Sequence, residues 1–333
     1  MFETEILEIN EKSLEKARKY ISEGLPVAFP TETVYGLGAS AFNDDAIKKI
    51  FEAKGRPSDN PLIVHVDESY DVDKLVEVTY DYAYKLREAF TPGPLTMVYK
   101  SKGAVSKIAT CGLDTVGIRI PGSEDARKFL KAVGAPIAAP SANISKHTSP
   151  VTARHVYDDM KGRIPLILDG GKCVGGIEST VLDVTTDTPT ILRSGLVTAE
   201  MIKRVVGKCA YSTNKETDKV RAPGMKYTHY TPKCETALFK RDEIERAKNL
   251  YENYEKEGKI PYFMCDSEIE ERLPVNANYL RLGKTAEEIA SNLYYKLLEG
   301  EKVADIIVAF EVDTADEVGI GVMNRLTKAC KRI

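Results

Sequence analysis

Two basic residues beside a hydroxyl-rich segment are the first residues of this chain that could do chemistry. Lys54 and Arg56 flank Gly55 and precede Pro57, and residues 30–38, PTETVYGLG, supply threonine hydroxyls and glycines. Two cations on a stiff turn can bind an anion such as phosphate or carboxylate through charge-assisted hydrogen bonds. An ordinary strand–turn–helix with a solvated basic end would contain the same residues, so this motif alone leaves both interpretations open.

Further polar side chains lie at or near the ends of strand-like runs. Arg119 stands near the end of an alternating run, and the turn Ser141-Ala142-Asn143 follows an apolar one. Open α/β sheets bind ligands at such strand ends, although serine and asparagine are also ordinary turn residues. His65 lies inside a short apolar run, where a histidine is either a core residue or a ligand of the site.

Several kinds of catalytic site have no signature in the sequence. It contains no P-loop, no dinucleotide-binding glycine motif, no zincin motif and no local cysteine–histidine or serine–histidine signature. The motifs instead combine cations (Lys54, Arg56, Arg119 and Arg193), hydroxyl groups and glycine-rich backbone. This combination favours a reaction in which the protein positions anionic substrates and stabilises charge without a covalent enzyme intermediate.

The elements that must position these residues alternate between short strands and helices. Residues 27–29 read as a strand, and residues 44–54 carry apolar side chains at helical spacing. Gly55 suits the left-handed cap of that helix. Between the strand and the helix, the sequence predicts a turn that contains Gly36 and Gly38.

The length of 333 residues suits two domains. We predict a first α/β domain at residues 1–207, a linker at 208–234 and a second domain at 235–333. The β-α-β rhythm of the second domain predicts a small, Rossmann-like parallel sheet without a recognisable catalytic group.

The composition, 43% hydrophobic and 29% charged residues, is that of a soluble globular protein. The net charge of −3 argues against indiscriminate binding to nucleic acid. Six scattered cysteines without a Cys-x-x-Cys pair predict free thiols in a reducing compartment. The N-terminus has no signal-peptide pattern, and no apolar run approaches the ~18 residues that span a membrane. We therefore expect a cytoplasmic protein that makes no membrane contact.

The linker contains an aromatic segment that is unusual for a spacer. Residues 222–232 hold Tyr227, His229 and Tyr230 among glycine and prolines. One interpretation is a lid that closes over a bound nucleotide and excludes water. Packing of the segment against the second domain is the alternative, and the sequence leaves both open.

Six motifs, in this order, resemble those of the YrdC-like threonylcarbamoyl-AMP synthases: PTETVYGLG, KGRP, NPL, GPLT, APSAN and GIESTV. The likeness covers about residues 1–207, and APGMKYTHYTP resembles the linker of the longer, two-domain members. The resemblance implies a twisted mixed-sheet domain with a concave ligand cleft, followed by the smaller Rossmann-like domain.

The implied enzyme is an L-threonylcarbamoyladenylate synthase, a nucleotidyltransferase. It would make threonylcarbamoyl-AMP and pyrophosphate from L-threonine, bicarbonate or carbon dioxide, and ATP accompanied by Mg²⁺. The implied partner of the product is a downstream tRNA threonylcarbamoyltransferase complex, with tRNA an indirect partner.

The resemblance also implies site residues. The catalytic pair would be Lys54 and Arg56. Threonine would contact Thr33, His65, Arg119, Ala139 and Ser179. ATP would contact Arg56, Asn60, Thr115, Ser141, Ser149, Arg193 and His229. Ser149 competes with a structural role, because either Ser149 or Thr152 is expected to cap the next helix. The sequence departs from the family pattern at Arg193-Ser194-Gly195, where the family has arginine-proline-glycine.

Two other functions are compatible with parts of the sequence. Carbamoyltransferases of the same superfamily share the motifs of the first domain but use carbamoyl phosphate. The hydrogenase-maturation members carry zinc-binding cysteine pairs, which this chain lacks. A non-catalytic RNA-binding module is the other alternative, although no aromatic, basic sheet motif is visible.

Overall fold

The structure, a computed structural model, describes residues 2–212 and 230–333 and forms two compact units. In the described chain, the first unit comprises residues 2–145, 150–174 and 178–212. The second unit comprises residues 146–149, 175–177 and 230–333. The predicted boundaries at residues 207 and 235 stay predictions. His229 and the predicted lid up to that residue lie outside the described chain.

The first unit is built on one mixed sheet. Its strands are β1 (Glu5–Glu8), β2 (Val27–Phe29), β3 (Gly36–Ser40), β4 (Ile63–His65), β5 (Val76–Glu77), β6 (Leu95–Ser101), β7 (Thr115–Arg119), β8 (Ile137–Ala139), β9 (Leu166–Asp169), β10 (Thr180–Asp183), β11 (Thr190–Arg193) and β12 (Ala210–Tyr211). Its helices are α1 (Glu11–Ser22), α2 (Asp44–Lys54), α3 (Tyr82–Phe90), α4 (Glu124–Val133), α5 (Ala153–Met160) and α6 (Ala199–Val206), with a 3-10 turn at Val72–Lys74.

The strand order is β1-β9-β2-β3-β8-β4-β7-β6-β10-β11-β12, and β5 pairs with β6. Strand β4 runs parallel to β7 and antiparallel to β8. Strand β6 runs antiparallel to β7 and parallel to β10. The predicted mixed sheet is therefore confirmed, and its centre brings strands together that are far apart in the sequence.

The prediction of a turn at Gly36 and Gly38 is wrong, because both glycines lie in strand β3, which pairs antiparallel with β2. A Cβ at Gly38 would stand 2.6 Å from Ile137 Cγ2 and 2.9 Å from Phe29 Cε1. Glycine is thus needed here for close packing in a buried strand, which a local reading of the sequence mistakes for a turn signal.

The helix ends follow the local signals. Asn43 caps α2 by accepting hydrogen bonds from two backbone amides, and Gly55 ends it with a φ of 59°. Ser123 caps α4 by accepting a hydrogen bond from the Ala126 amide. Thr152 caps α5 by accepting from the His155 amide. Ser149 is therefore not that cap.

The second unit contains a parallel sheet, as predicted, and this sheet has four strands in the order β13-β16-β14-β15. Its elements are β13 (Glu235–Phe239), α7 (Ile244–Lys256), β14 (Pro261–Asp266), α8 (Ser267–Glu270), β15 (Tyr279–Gly283), α9 (Ala286–Gly300), β16 (Ile306–Phe310) and α10 (Glu317–Ala329). The sequence predicted neither β15 nor α8. Strand β15 is a short edge strand with one exposed side chain, and α8 has four residues.

All six cysteines are free thiols. None of the described helices is long and apolar enough to cross a membrane.

Candidate functional site

A buried arginine and a buried histidine lie side by side at the ends of two central strands. His65 of β4 is in register with Arg119 of β7, and each is 4% exposed. His65 Nδ1 and Arg119 Nε have no hydrogen-bond partner among the described residues. Buried polar atoms in native proteins are nearly always hydrogen-bonded to protein or water. These two atoms therefore indicate a position that a polar ligand or a water molecule would fill.

Glu32 is a residue of this site that the sequence-based assignment missed. Its carboxylate accepts a 2.6 Å hydrogen bond from Arg119 Nη2 and a second from the Ser123 amide. Burial raises the pKa of Glu32, but the charge and hydrogen bond of Arg119 outweigh this and hold that pKa below its usual value. The available signal was its position in the PTETVYGLG motif between Thr31 and Thr33.

His65 is held in its neutral form. Burial, and next the nearby charge of Arg119, lower the pKa of His65 from 6.5 to about 3. The ring also makes an edge contact with Phe29 at a centroid distance of 5.8 Å. A neutral imidazole can donate from one ring nitrogen and accept at the other, which suits the recognition of a hydroxyl group.

This pKa predicts a pH dependence of stability. Below pH 6.5 the unfolded chain takes up a proton at His65 that the folded chain does not, so stability falls as the pH falls from 6.5 towards 3. The slope from this one group is about 1.4 kcal/mol per pH unit. Urea unfolding at pH 7 and pH 5 should show wild type losing about 2 kcal/mol more than His65→Gln. Equal losses of unfolding free energy in the two proteins would contradict the lowered pKa of His65.

Thr33 is fully buried and is fixed by a neighbouring threonine. Its hydroxyl lies 2.9 Å from that of Thr31, and the Thr31 hydroxyl also donates to the Val34 carbonyl. Thr31 therefore orients the predicted threonine contact, a role that the sequence did not reveal.

Ser179 and Arg193, which the sequence assigned to different substrates, contact each other directly. Arg193 Nη2 donates to the Ser179 carbonyl at 2.9 Å and to its hydroxyl at 3.2 Å. The Ser179 hydroxyl lies 2.8 Å from Thr96 Oγ1 on the neighbouring strand. Thr96 is a further polar residue that sequence reasoning missed, because the contact joins residues of separate motifs.

Gly195 packs closely against the backbone of Ser179 and Thr180. A Cβ at this position would stand 2.5 Å from the Thr180 nitrogen and 2.8 Å from the Ser179 carbonyl carbon. We expect Gly195→Ala to destabilise the protein by about 1–3 kcal/mol, because backbone atoms must move to admit the methyl group. Thermal unfolding checks the loss of stability, and an unchanged melting temperature would contradict this packing.

Lys54 is buried and hydrogen-bonded to the Ser141–Asn143 turn. Its Nζ donates to the carbonyls of Ser141 and Asn143, both at 2.6 Å. Burial, and next the nearby charge of Arg56, hold the pKa of Lys54 well below 10.5. The Ser141 hydroxyl donates to Asn143 Oδ1 at 2.5 Å, so lysine, serine and asparagine form one hydrogen-bonded group. Asn143 was visible as a turn residue in the sequence but was not assigned to the site.

Arg56 and Asn60 form the second part of the cationic turn. Arg56 Nη2 donates to the Asn60 carbonyl at 2.8 Å, and its guanidinium lies 5.8 Å from the Phe51 ring centre. Asn60 is 1% exposed, and its Oδ1 has no hydrogen-bond partner within residues 2–212 and 230–333. A donor such as an amino group of a ligand would satisfy this oxygen.

The remaining predicted residues are more dispersed. Ala139 lies on β8 opposite Ile63, at the other end of β4 from His65, which pairs with Ile137. Thr115 begins the strand that Arg119 ends, which places the two about 13 Å apart at ~3.3 Å per residue. Ser149 is buried and belongs to the second unit. These assignments stay predictions.

A cavity of about 580 Å³ at the carboxyl ends of the second unit's strands is a competing ligand site. Its lining combines six carboxylates with only two cations, Arg241 and Lys284. Such a surface disfavours the phosphates of ATP. In the part of the chain that the structure describes, no group of three or more histidine, cysteine, aspartate or glutamate side chains could hold a metal ion.

Two family models match the chain. The model Sua5_yciO_yrdC, described as "Telomere recombination", covers residues 19–195. The model Sua5_C, described as "Threonylcarbamoyl-AMP synthase, C-terminal domain", covers residues 197–330.

Individual relatives match along nearly the whole chain. The threonylcarbamoyl-AMP synthase of Pyrococcus abyssi (strain GE5 / Orsay) is 42% identical over 328 residues, which cover 96% of this chain and 95% of the relative. The threonylcarbamoyl-AMP synthase of Bacillus subtilis (strain 168) is 42% identical, covering 98% of this chain and 95% of the relative. The crystal structure of P. abyssi Sua5 complexed with L-threonine matches with a TM-score of 0.88 at 40% identity, over 100% of this chain and 99% of that chain. The chain therefore belongs to the Sua5/YrdC family of threonylcarbamoyl-AMP synthases, in the two-domain form that carries the Sua5 C-terminal domain.

Proposed function

We propose that this chain converts L-threonine, bicarbonate or carbon dioxide, and ATP into threonylcarbamoyl-AMP and pyrophosphate. The observation that carries the proposal is the pair of unsatisfied buried atoms, His65 Nδ1 and Arg119 Nε. They lie on adjacent strands of the sheet, while Thr33 lies between strands β2 and β3 and Ser179 directly precedes β10. This set matches the polar groups of a small amino acid.

In this proposal Arg119 binds the carboxylate of threonine. Arginine binds carboxylates through two parallel N–H donors, and Glu32 engages the guanidinium at Nη2. Thr33, His65 and Ser179 are the candidate partners of the threonine hydroxyl and amine. Ala139, a small residue on β8, would leave space for the substrate.

ATP would bind at the cationic turn. Arg56 and Lys54 are the proposed phosphate contacts, with Asn60, Thr115, Ser141, Ser149, Arg193 and His229 as further ATP contacts. Lys54 donates two of its hydrogen bonds to the carbonyls of the Ser141–Asn143 turn. Its third contact, with Asn143 Oδ1, is long at 3.4 Å, so a phosphate oxygen would compete for this N–H. A bound phosphate would favour the charged form of this buried amine.

The chemistry then needs no covalent enzyme intermediate. The threonine amine attacks carbon dioxide and loses a proton to give a carbamate, and a carbamate oxygen attacks the α-phosphorus of ATP. Pyrophosphate leaves with the electrons of the broken P–O bond. We propose that Mg²⁺ arrives on the phosphates of ATP, because Mg²⁺ is usually bound by substrate phosphates together with only one or two carboxylates. When bound, it would neutralise charge on the departing pyrophosphate.

The product is a mixed anhydride that hydrolyses readily, so it must be used soon after it forms. We propose that a downstream tRNA threonylcarbamoyltransferase complex consumes it to modify the adenosine next to the anticodon, and that the protein works in the cytoplasm.

Exchange of labelled pyrophosphate into ATP tests this function. Exchange should require both threonine and bicarbonate, because the adenylate must form before pyrophosphate can reverse the reaction. Exchange that depends on carbamoyl phosphate instead would identify a carbamoyltransferase. Binding of RNA without any exchange would favour the non-catalytic alternative.

A further inference from the structure

The second unit includes two short segments that interrupt the first unit in the sequence, residues 146–149 and 175–177. We propose that the second unit positions substrate contacts of the synthase site by holding these two segments through Glu301 and the backbone of α9. The proposal rests on the function proposed above and adds positioning residues to it.

Among the described residues, several contacts within the second unit hold the first segment. His147 Nε2 lies 2.9 Å and 3.1 Å from the two carboxylate oxygens of Glu301. Thr148 Oγ1 donates to the Tyr230 carbonyl, and the Thr231 amide donates to the Lys146 carbonyl.

Glu301 is the centre of this arrangement. Its side chain is 6% exposed, although it stands at the end of α9. Besides His147, its carboxylate accepts a 2.9 Å hydrogen bond from the Lys233 amide. A buried carboxylate is costly unless it is fully hydrogen-bonded. The cost is offset here by contacts that fix His147, so Glu301 holds the segment in one position.

The second segment is held by steric contact. Gly176 has a φ of 68°, and a Cβ there would stand 2.3 Å from the Ala290 carbonyl oxygen and 2.5 Å from Ser291 Cα. Both are backbone atoms of α9, which cannot yield as a flexible side chain could. Only glycine allows this approach.

Both segments adjoin proposed substrate contacts in the sequence. Residues 146–149 follow the Ser141–Asn143 turn, which Lys54 holds, and end at Ser149, a proposed ATP contact. Residues 175–177 precede Ser179, a proposed threonine contact, by two positions. Loss of the Glu301 contacts should therefore weaken the binding of ATP, and loss of the close approach at Gly176 should weaken the binding of threonine. A general loss of stability would not separate the two substrates in this way.

The first experiment measures the Michaelis constants of Glu301→Ala in the full-length protein. The KM for ATP should rise at least about 10-fold, and the KM for threonine should stay within about twofold of wild type. Glu299→Ala is the matched control, because Glu299 lies at the same end of α9 and its partly exposed side chain pairs with Lys302. Its Michaelis constants should not change.

The second experiment uses Gly176→Ala, for which the KM for threonine should rise at least about 10-fold and more than the KM for ATP. Gly171→Ala is the matched control. Gly171 has a similar φ of 75°, but a Cβ there would meet nothing within 4 Å. The control therefore reproduces the backbone strain without the contact. Should Gly176→Ala fail to fold, the Glu301 experiment decides.

Unchanged Michaelis constants in folded Glu301→Ala would overturn the proposal, as would equal increases for both substrates. Absence of threonine-dependent exchange in the wild type would instead refute the proposed function itself. The two failures are therefore distinguishable.

Discussion

Replacing Arg56 with alanine is expected to lower threonine-dependent ATP–pyrophosphate exchange at least about 100-fold, equivalent to ~2.7 kcal/mol of transition-state stabilisation. The guanidinium is held by the Asn60 carbonyl and the Phe51 ring, next to the buried amine of Lys54. A charge-assisted contact in such a shielded position is worth ~1.5–3 kcal/mol or more.

Lys48→Ala is the control for this measurement. Lys48 lies on the same helix, α2, where its exposed amine pairs with Asp45, and its loss should leave the exchange rate unchanged. Wild-type exchange in purified Arg56→Ala, or an equal loss in the control, would remove Arg56 from the proposed mechanism.

The second large effect concerns substrate choice. Threonine should be preferred over valine by roughly 10- to 100-fold in kcat/KM, and serine should react more weakly than threonine. Valine has nearly the same shape but would leave a polar group of the site, such as Thr33 or His65, without a partner. Leaving a buried polar group unpaired costs ~1–3 kcal/mol.

Exchange assays with each amino acid at matched concentrations measure this preference. Equal rates for threonine and valine would show that the hydroxyl is not recognised. That result would not contradict the proposed contact between Arg119 and the substrate carboxylate, because both amino acids have this group.

Short-range signals were enough to predict much of the fold. Helix α2 lies at residues 44–54 with Gly55 in its left-handed cap, as its apolar spacing and the glycine predicted. Ser123 and Gly134 bound α4 for the same reason. These features depend on residues within a few positions of one another.

The parts that could not be predicted depend on residues far apart in the chain. Judged from neighbouring residues alone, Gly36 and Gly38 predict a turn. In the folded sheet, the side chains of Phe29 and Ile137 leave no room for a Cβ at these positions. Glu32 gains its role from Arg119, a partner 87 positions away. No periodicity carries such information, because it arises only when strand register is known.

The resemblance identified individual residues without showing how they interact. It named Lys54 as one of the catalytic pair, whereas the structure also makes Lys54 the support of the Ser141–Asn143 turn. It assigned Ser179 and Arg193 to separate substrates, although their side chains touch. Contacts of this kind are visible only in the folded structure.

The pairing of β1 with β9 has a consequence for synthesis of the chain on the ribosome. Glu5 pairs with Leu166, and β1 has no other strand neighbour in the described sheet. At a synthesis rate of roughly 5–20 residues per second, β9 is made about 10–30 s after β1. Strand β2 likewise lacks its β9 neighbour during this interval. The nascent chain therefore exposes unpaired strand edges, which are sites of aggregation, until residues 166–169 have left the exit tunnel.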